Sequence, residues 1–259
     1  MGIVFLLSGW FVFCAFFIAS FVHATTGFGS ALVGMPILVF AIGLQISAPL
    51  LALLGQIVNL GVLWQNWKDL DWKHSLILIV PSIFGVPIGL LLLKGGNEEL
   101  LNAVLGIILV TYGIYSFFYN NNQEINKEIS VVSRPHFFWG AIAGFCAGIL
   151  GGAYNANGPP VIIYASTTHK DKGSFRSILQ AFFFVNGFII IAGHIFAGLI
   201  TKDVFYYSLW GLPGLIVGMY LGFYVDRFIT PQRFRNIVIT GIIILGIGLL
   251  LPVFYSLLF

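Results

Sequence analysis

Charge is what this sequence has least of. Asp, Glu, Lys and Arg make up 8% of its 259 residues, where a soluble domain carries about 25%. So few charges cannot cover a soluble surface, which excludes a soluble enzyme, a nucleic-acid binder and a disordered chain. The net charge of +3 is too small to imply a polyanionic partner, so no nucleic acid is expected. Cysteine is nearly absent too. Cys14 and Cys146 both sit in apolar runs and read as packing residues rather than a disulfide. The five histidines (His23, His74, His136, His169, His194) show no ligand spacing, so no metal and no other cofactor is expected. No nucleophile–base pair stands out, which argues against an enzyme. The N-terminus lacks a basic residue ahead of its apolar run, and Leu6 breaks the myristoylation pattern, so neither a cleaved signal nor a lipid anchor is expected.

What the chain has is apolar length. Hydrophobic residues make up 59% and mean hydropathy is +0.99, which points to an all-α polytopic protein in a lipid bilayer. Six segments read as full spans, roughly 46–66, 75–93, 98–119, 175–200, 204–225 and 235–257. Polar clusters bound them. Two apolar regions, 1–45 and 136–168, are interrupted by glycine, proline and small polar residues and do not read as simple spans.

The basic residues choose between topologies. If each interrupted region leaves the membrane on the side it entered, four clusters share one face. That face holds ten basic residues: Lys68, Lys73, Lys127, Arg134, Lys170, Lys172, Arg176, Arg227, Arg233 and Arg235. The other face keeps Lys94 and Lys202. A single crossing of each region gives five against seven, which is no bias. The positive-inside rule therefore favours the first arrangement, with both termini extracytoplasmic.

The chain also repeats itself. Gly27, Gly34, Pro36 and Ala41 recur 124 positions later as Gly151, Gly158, Pro160 and Ala165. Further on, Val58-Asn59 matches Val185-Asn186, and Gly85-x-x-x-Gly89 matches Gly218-x-x-x-Gly222. Under the favoured topology the two copies run in opposite directions, a recurring plan for secondary transporters. The expected fold is two inverted repeats, 1–119 and 136–259, joined by a cytoplasmic linker at 120–135. Each repeat holds a broken or re-entrant hairpin and three full transmembrane helices, 8–10 helical segments in all.

The interruptions suggest a site. About ten residues follow Pro36 and Pro159 before each surface, roughly 15 Å of helix and half the hydrocarbon thickness. A half-helix N-terminus presents unpaired N–H groups and partial positive charge. Two such ends converging from opposite faces form an anion site without a buried Lys or Arg. Candidate binding residues are Thr25, Thr26, Gly27, Gly29, Ser30, Gly34 and Pro36 in the first half. In the second they are Gly152, Tyr154, Asn155, Asn157, Gly158 and Pro159. Thr25, Thr26, Ser30, Asn157 and Gly158 are candidate caps. Asn59 and Asn186 are repeat-related donors for an oxyanion or for a neighbouring helix. His23 and His194 are candidates to carry a coupling proton. All nine carboxylates lie in or beside polar clusters, which argues against a cation carrier.

Thr26-Gly-Phe-Gly-Ser…Gly34-Met-Pro36 and Gly148-Ile-Leu-Gly-Gly…Asn157-Gly-Pro-Pro160 resemble the TauE/SafE sulfite-exporter family, also called the toluene-sulfonate uptake permease family. The resemblance covers nearly the whole chain. It implies an inner-membrane transporter of sulfur-containing anions, sulfite or an organosulfonate such as sulfoacetate. The residues themselves leave open a passive anion channel or a carrier of another small anion such as a carboxylate. They carry no signal for oligomeric state.

Overall fold

The computed structural model describes residues 2–27, 29–66, 70–125, 137–168, 172–226, 228 and 231–258. Among these, every regular element is a helix: α1 Gly2–Thr26, α2 Ser30–Ile42, α3 Leu44–Asn66, α4 Trp72–Gly95, α5 Glu98–Ile125, α6 Phe137–Tyr154, α7 Gly158–Thr168, α8 Lys172–Phe196, α9 Lys202–Val225 and α10 Pro231–Leu258. Eight are long and apolar enough to cross a membrane; α2 and α7, with 13 and 11 residues, are the short ones. Polar caps fix several span starts. Asp71 accepts from the His74 amide at 3.1 Å, and Asn97 accepts from those of Glu99 and Leu100 at 2.8 and 3.2 Å.

The six expected full spans correspond to α3, α4, α5, α8, α9 and α10. The interrupted regions differ from expectation. Their first arms, α1 and α6, are unbroken and each is long enough to span. The reason lies in what their glycines do. A Cβ at Gly144, Gly148 or Gly152 would collide with the carbonyl oxygens of Leu78, Ser82 and Val86 on α4. These glycines stay helical and let two backbones touch, the use small residues have in membranes. Gly214 and Gly218 on α9 do the same against Phe13 and Phe17 on α1.

The contacts set direction. α6 lies parallel to α4, and α1 parallel to α9, by the pairs just named. α4 and α8 also run parallel, with Ser75 beside Ile178 and Ser82 beside Asn186. α5 and α10 are antiparallel, since Gly106 meets Gly246 and Gly113 meets Ile243. The Leu44 amide donates to Glu98 at 2.8 Å and Lys94 donates to the Ala197 carbonyl at 3.1 Å. These bonds gather the starts of α3 and α5 and the ends of α4 and α8 at one end of the bundle. α1 starts and α2 finishes at that same end. Tyr164 of α7 packs beside Gly140 of α6, so the α6–α7 hairpin starts and finishes at the opposite end.

α3 and α8 form the centre. Two-thirds of the α3 span is buried (67%), against 22% of the α10 span. Many large apolar side chains face outward, among them Phe84, Leu91, Phe138, Phe205 and Ile244, as a lipid-facing surface requires. Cys14 and Cys146 are free and exposed on that surface, not packed in the core as their apolar context suggested. Much of the expected 120–135 linker lies outside the described residues, as do Lys68, Lys127, Arg134, His136, His169, Lys170 and Arg227; residues 120–125 continue α5.

Candidate functional site

The first break is a glycine turn. At the end of α1 the Thr25 and Thr26 hydroxyls bond back to the carbonyls of Phe21 and Val22. Gly27 and Gly29 then adopt φ of 82° and 98°, where an L side chain is strained. α2 starts at Ser30, six residues before the expected start at Pro36, which sits inside the helix. Its cap is Gly29, with no side-chain cap bond, so Thr25, Thr26 and Ser30 do not take the capping role. The first intrahelical bond runs from Val33 N to Gly29 O at 3.2 Å. The N–H groups of Ser30, Ala31 and Leu32 precede any intrahelical acceptor. Gln180 of α8 steadies the turn, donating to the Gly27 carbonyl at 2.7 Å.

The second break falls where expected. Asn155 has φ of 51°, in the left-handed region that asparagine tolerates. α7 starts at Gly158, with Pro159 in its first turn. Pro159 and Pro160 carry no N–H, so this end offers fewer donors than the start of α2. Asn157 sends its Nδ2 to Asn186 Oδ1 at 2.7 Å; Asn186 donates to Ser82 Oγ at 2.7 Å, and Ser82 to the Ile79 carbonyl at 2.7 Å.

Both breaks open on one cavity of about 40 Å³. Gly29, Ser30, Ala31 and Leu32 line one side, and Asn155, Ala156, Asn157 and Gly158 another. Gly55, Gln56 and Asn59 contribute from α3, and Phe183 and Gly187 from α8. These positions lie near the middle of both central helices. Gln56 crosses from α3 to α8, donating to the Phe184 carbonyl at 2.9 Å and accepting from Asn59 at 3.1 Å. It can do so because residue 187 is glycine; a Cβ there would collide with the Gln56 amide. No Asp, Glu, Lys or Arg is among the described residues lining the cavity. His23, 2% exposed, completes the wall. Its Nδ1 lies 2.9 Å from Ser30 Oγ, and its Nε2 has no partner.

Of the sequence candidates, the cavity thus gathers Gly29, Ser30, Asn59, Asn155, Asn157, Gly158 and His23, with Asn186 one bond behind. Others lie elsewhere. Thr26 faces a second, smaller cavity with Tyr112 and Ile242. Gly34 packs on Ala19 and Leu51, Gly152 lies against α4, and Tyr154 donates to the Leu101 carbonyl at 3.0 Å. Thr25, Gly27, Pro36 and Pro159 do not line the cavity, and neither does His194, buried further along α8. Ser82, Gly55 and Gly187 were not among the candidates. Their roles come from contacts between distant helices, which no local spacing announces. Gln56 was visible as a polar residue within an apolar span.

A family model described as "Sulfite exporter TauE/SafE" matches residues 12–249 of the chain. No curated protein and no solved structure matches it.

Proposed function

The chain belongs to the TauE/SafE sulfite exporter family, and from that premise we propose that it is a secondary transporter of a small sulfur-containing anion, sulfite or an organosulfonate. The anion sits in the cavity between the start of α2 and the start of α7. One observation carries this reading: two helix N-terminal ends and four amide side chains meet in a central cavity with no carboxylate among the described residues of its wall. Helix-end charge and N–H donors then balance the anion without a buried cation.

Size narrows the substrate. The cavity, at about 40 Å³, exceeds the roughly 10–15 Å³ that one water needs and suits a compact anion such as sulfite.

The arrangement of helices supports alternating access. Each half's first helix packs on the other half's fourth, α1 on α9 and α6 on α4, and the two hairpins enter from opposite ends of the bundle. We read residues 1–119 and 136–259 as an inverted repeat whose halves rock about the central α3–α8 contact. The basic residues orient the protein in the inner membrane with both termini outside. Counterflow in proteoliposomes tests the reading: unlabelled sulfite inside is expected to accelerate entry of labelled sulfite. A non-saturating flux without counterflow indicates a passive pore and contradicts it.

A further inference from the structure

We propose that His23 takes up a proton from solvent when the anion binds, so that the cavity gains one unit of positive charge and one hydrogen-bond donor together. This deepens the anion reading and rests on it.

Geometry carries the inference. The His23 imidazole lines the cavity and is almost fully buried, with one nitrogen on the Ser30 hydroxyl and the other buried without a partner. Ser30 is the first residue of α2, so the pair sits against the helix end read as the anion's main donor set.

The chemistry does not depend on which neutral tautomer is present. In one, the Ser30 hydroxyl donates to Nδ1, and Nε2 carries the ring hydrogen. A proton added to Nδ1 turns that bond around, and the hydroxyl hydrogen is released toward the anion. In the other, Nδ1–H donates to Ser30 Oγ, and Nε2 presents a lone pair. A proton added to Nε2 replaces that lone pair by an N–H. Either way one donor is gained.

No other charge competes for this role among the described groups around His23. Gln56 and Asn59 on α3, Asn155 and Asn157 at the second break, and Phe183 on α8 do not ionise near neutral pH. On α9, beside α1, Tyr220, Tyr224 and Asp226 are exposed and face away. On α10, Val238, Ile239 and Ile242 line the second cavity with Tyr112 of α5, a phenol neutral at physiological pH. A bound monoanion is therefore neutralised by His23 or by helix ends alone.

Calorimetry of the purified protein tests this with methanesulfonate, a sulfonate that stays ionised and supplies no proton of its own. Titrations in two buffers of different ionisation heat give the proton count. At about pH 8 the wild type is expected to take up close to one proton per anion. Its affinity should fall about tenfold per pH unit on the alkaline side. His23→Gln should bind more weakly, with no uptake and no such pH dependence. Wild-type binding without uptake, or uptake that survives in His23→Gln, overturns the proton role and leaves the anion site standing. Failure of both sulfite and methanesulfonate to bind overturns the site itself. The wild-type count decides the matter even if His23→Gln does not fold.

Discussion

Asn157 Nδ2 donates to Asn186 Oδ1 across 2.7 Å, and that bond ties the α6–α7 break to the contact between α4 and α8. The direction of the chain is fixed from its far end. Ser82 donates to Ile79, so its oxygen accepts from Asn186, and the Asn186 oxygen is left to accept from Asn157.

Breaking this chain in the middle is therefore costly. Asn186→Ala leaves the Asn157 amide without its acceptor, at about 1–3 kcal/mol, while Ser82 loses one incoming bond and keeps its own to Ile79. A lower unfolding temperature and reduced sulfite flux are expected in proteoliposomes. Unchanged flux in a stable Asn186→Ala protein argues that the network does not position the site.

Two glycines six residues apart should behave oppositely. A Cβ at Gly158 meets nothing nearer than 3.5 Å, so Gly158→Ala is expected to fold with near wild-type stability. A Cβ at Gly152 collides with the Val86 carbonyl, so Gly152→Ala must push α6 away from α4. Overpacking of this kind costs about 1–3 kcal/mol. Thermal unfolding of the two variants in one detergent checks the contrast.

Gly55→Ala separates binding from folding. Its Cβ would lie 3.6 Å from Asn155 Nδ2, an ordinary contact, yet it points into a cavity of about 40 Å³. The fold should survive and anion affinity should drop about tenfold or more, as one methyl group does in a close-fitting site. Ligand-induced thermal shifts measure it.

Orientation is testable at two exposed positions, Asn97 before α5 and Lys73 at the start of α4. In a background lacking Cys14 and Cys146, Asn97→Cys is expected to react with an impermeant maleimide on intact cells. Lys73→Cys should react only after permeabilisation. The reverse pattern inverts the assigned topology.

Much of this fold is legible in the sequence because polar clusters mark where spans end. The second break is legible for a local reason: Pro159 and Pro160 suit the first turn of a helix, and α7 starts at Gly158. The first was displaced, because Pro36 resembles a helix start while the turn is made by Gly27 and Gly29. Proline inside a helix is tolerated within membranes, and Pro81, Pro87 and Pro213 are further cases here. Glycine carries two messages that sequence does not separate: Gly29 turns the chain, while Gly148 stays helical to let α4 approach. The repeat-related asparagines diverge in the same way. Asn59 lines the cavity beside Gln56, while Asn186 is fully buried behind it.

The central claim is that a small anion binds between the two helix starts. A structure of the protein with sulfite tests it most directly. The expected density lies within hydrogen-bond distance of the Ser30 and Ala31 amides, bounded by Gln56 and Asn157. Density resolved elsewhere, with this cavity empty, contradicts the account.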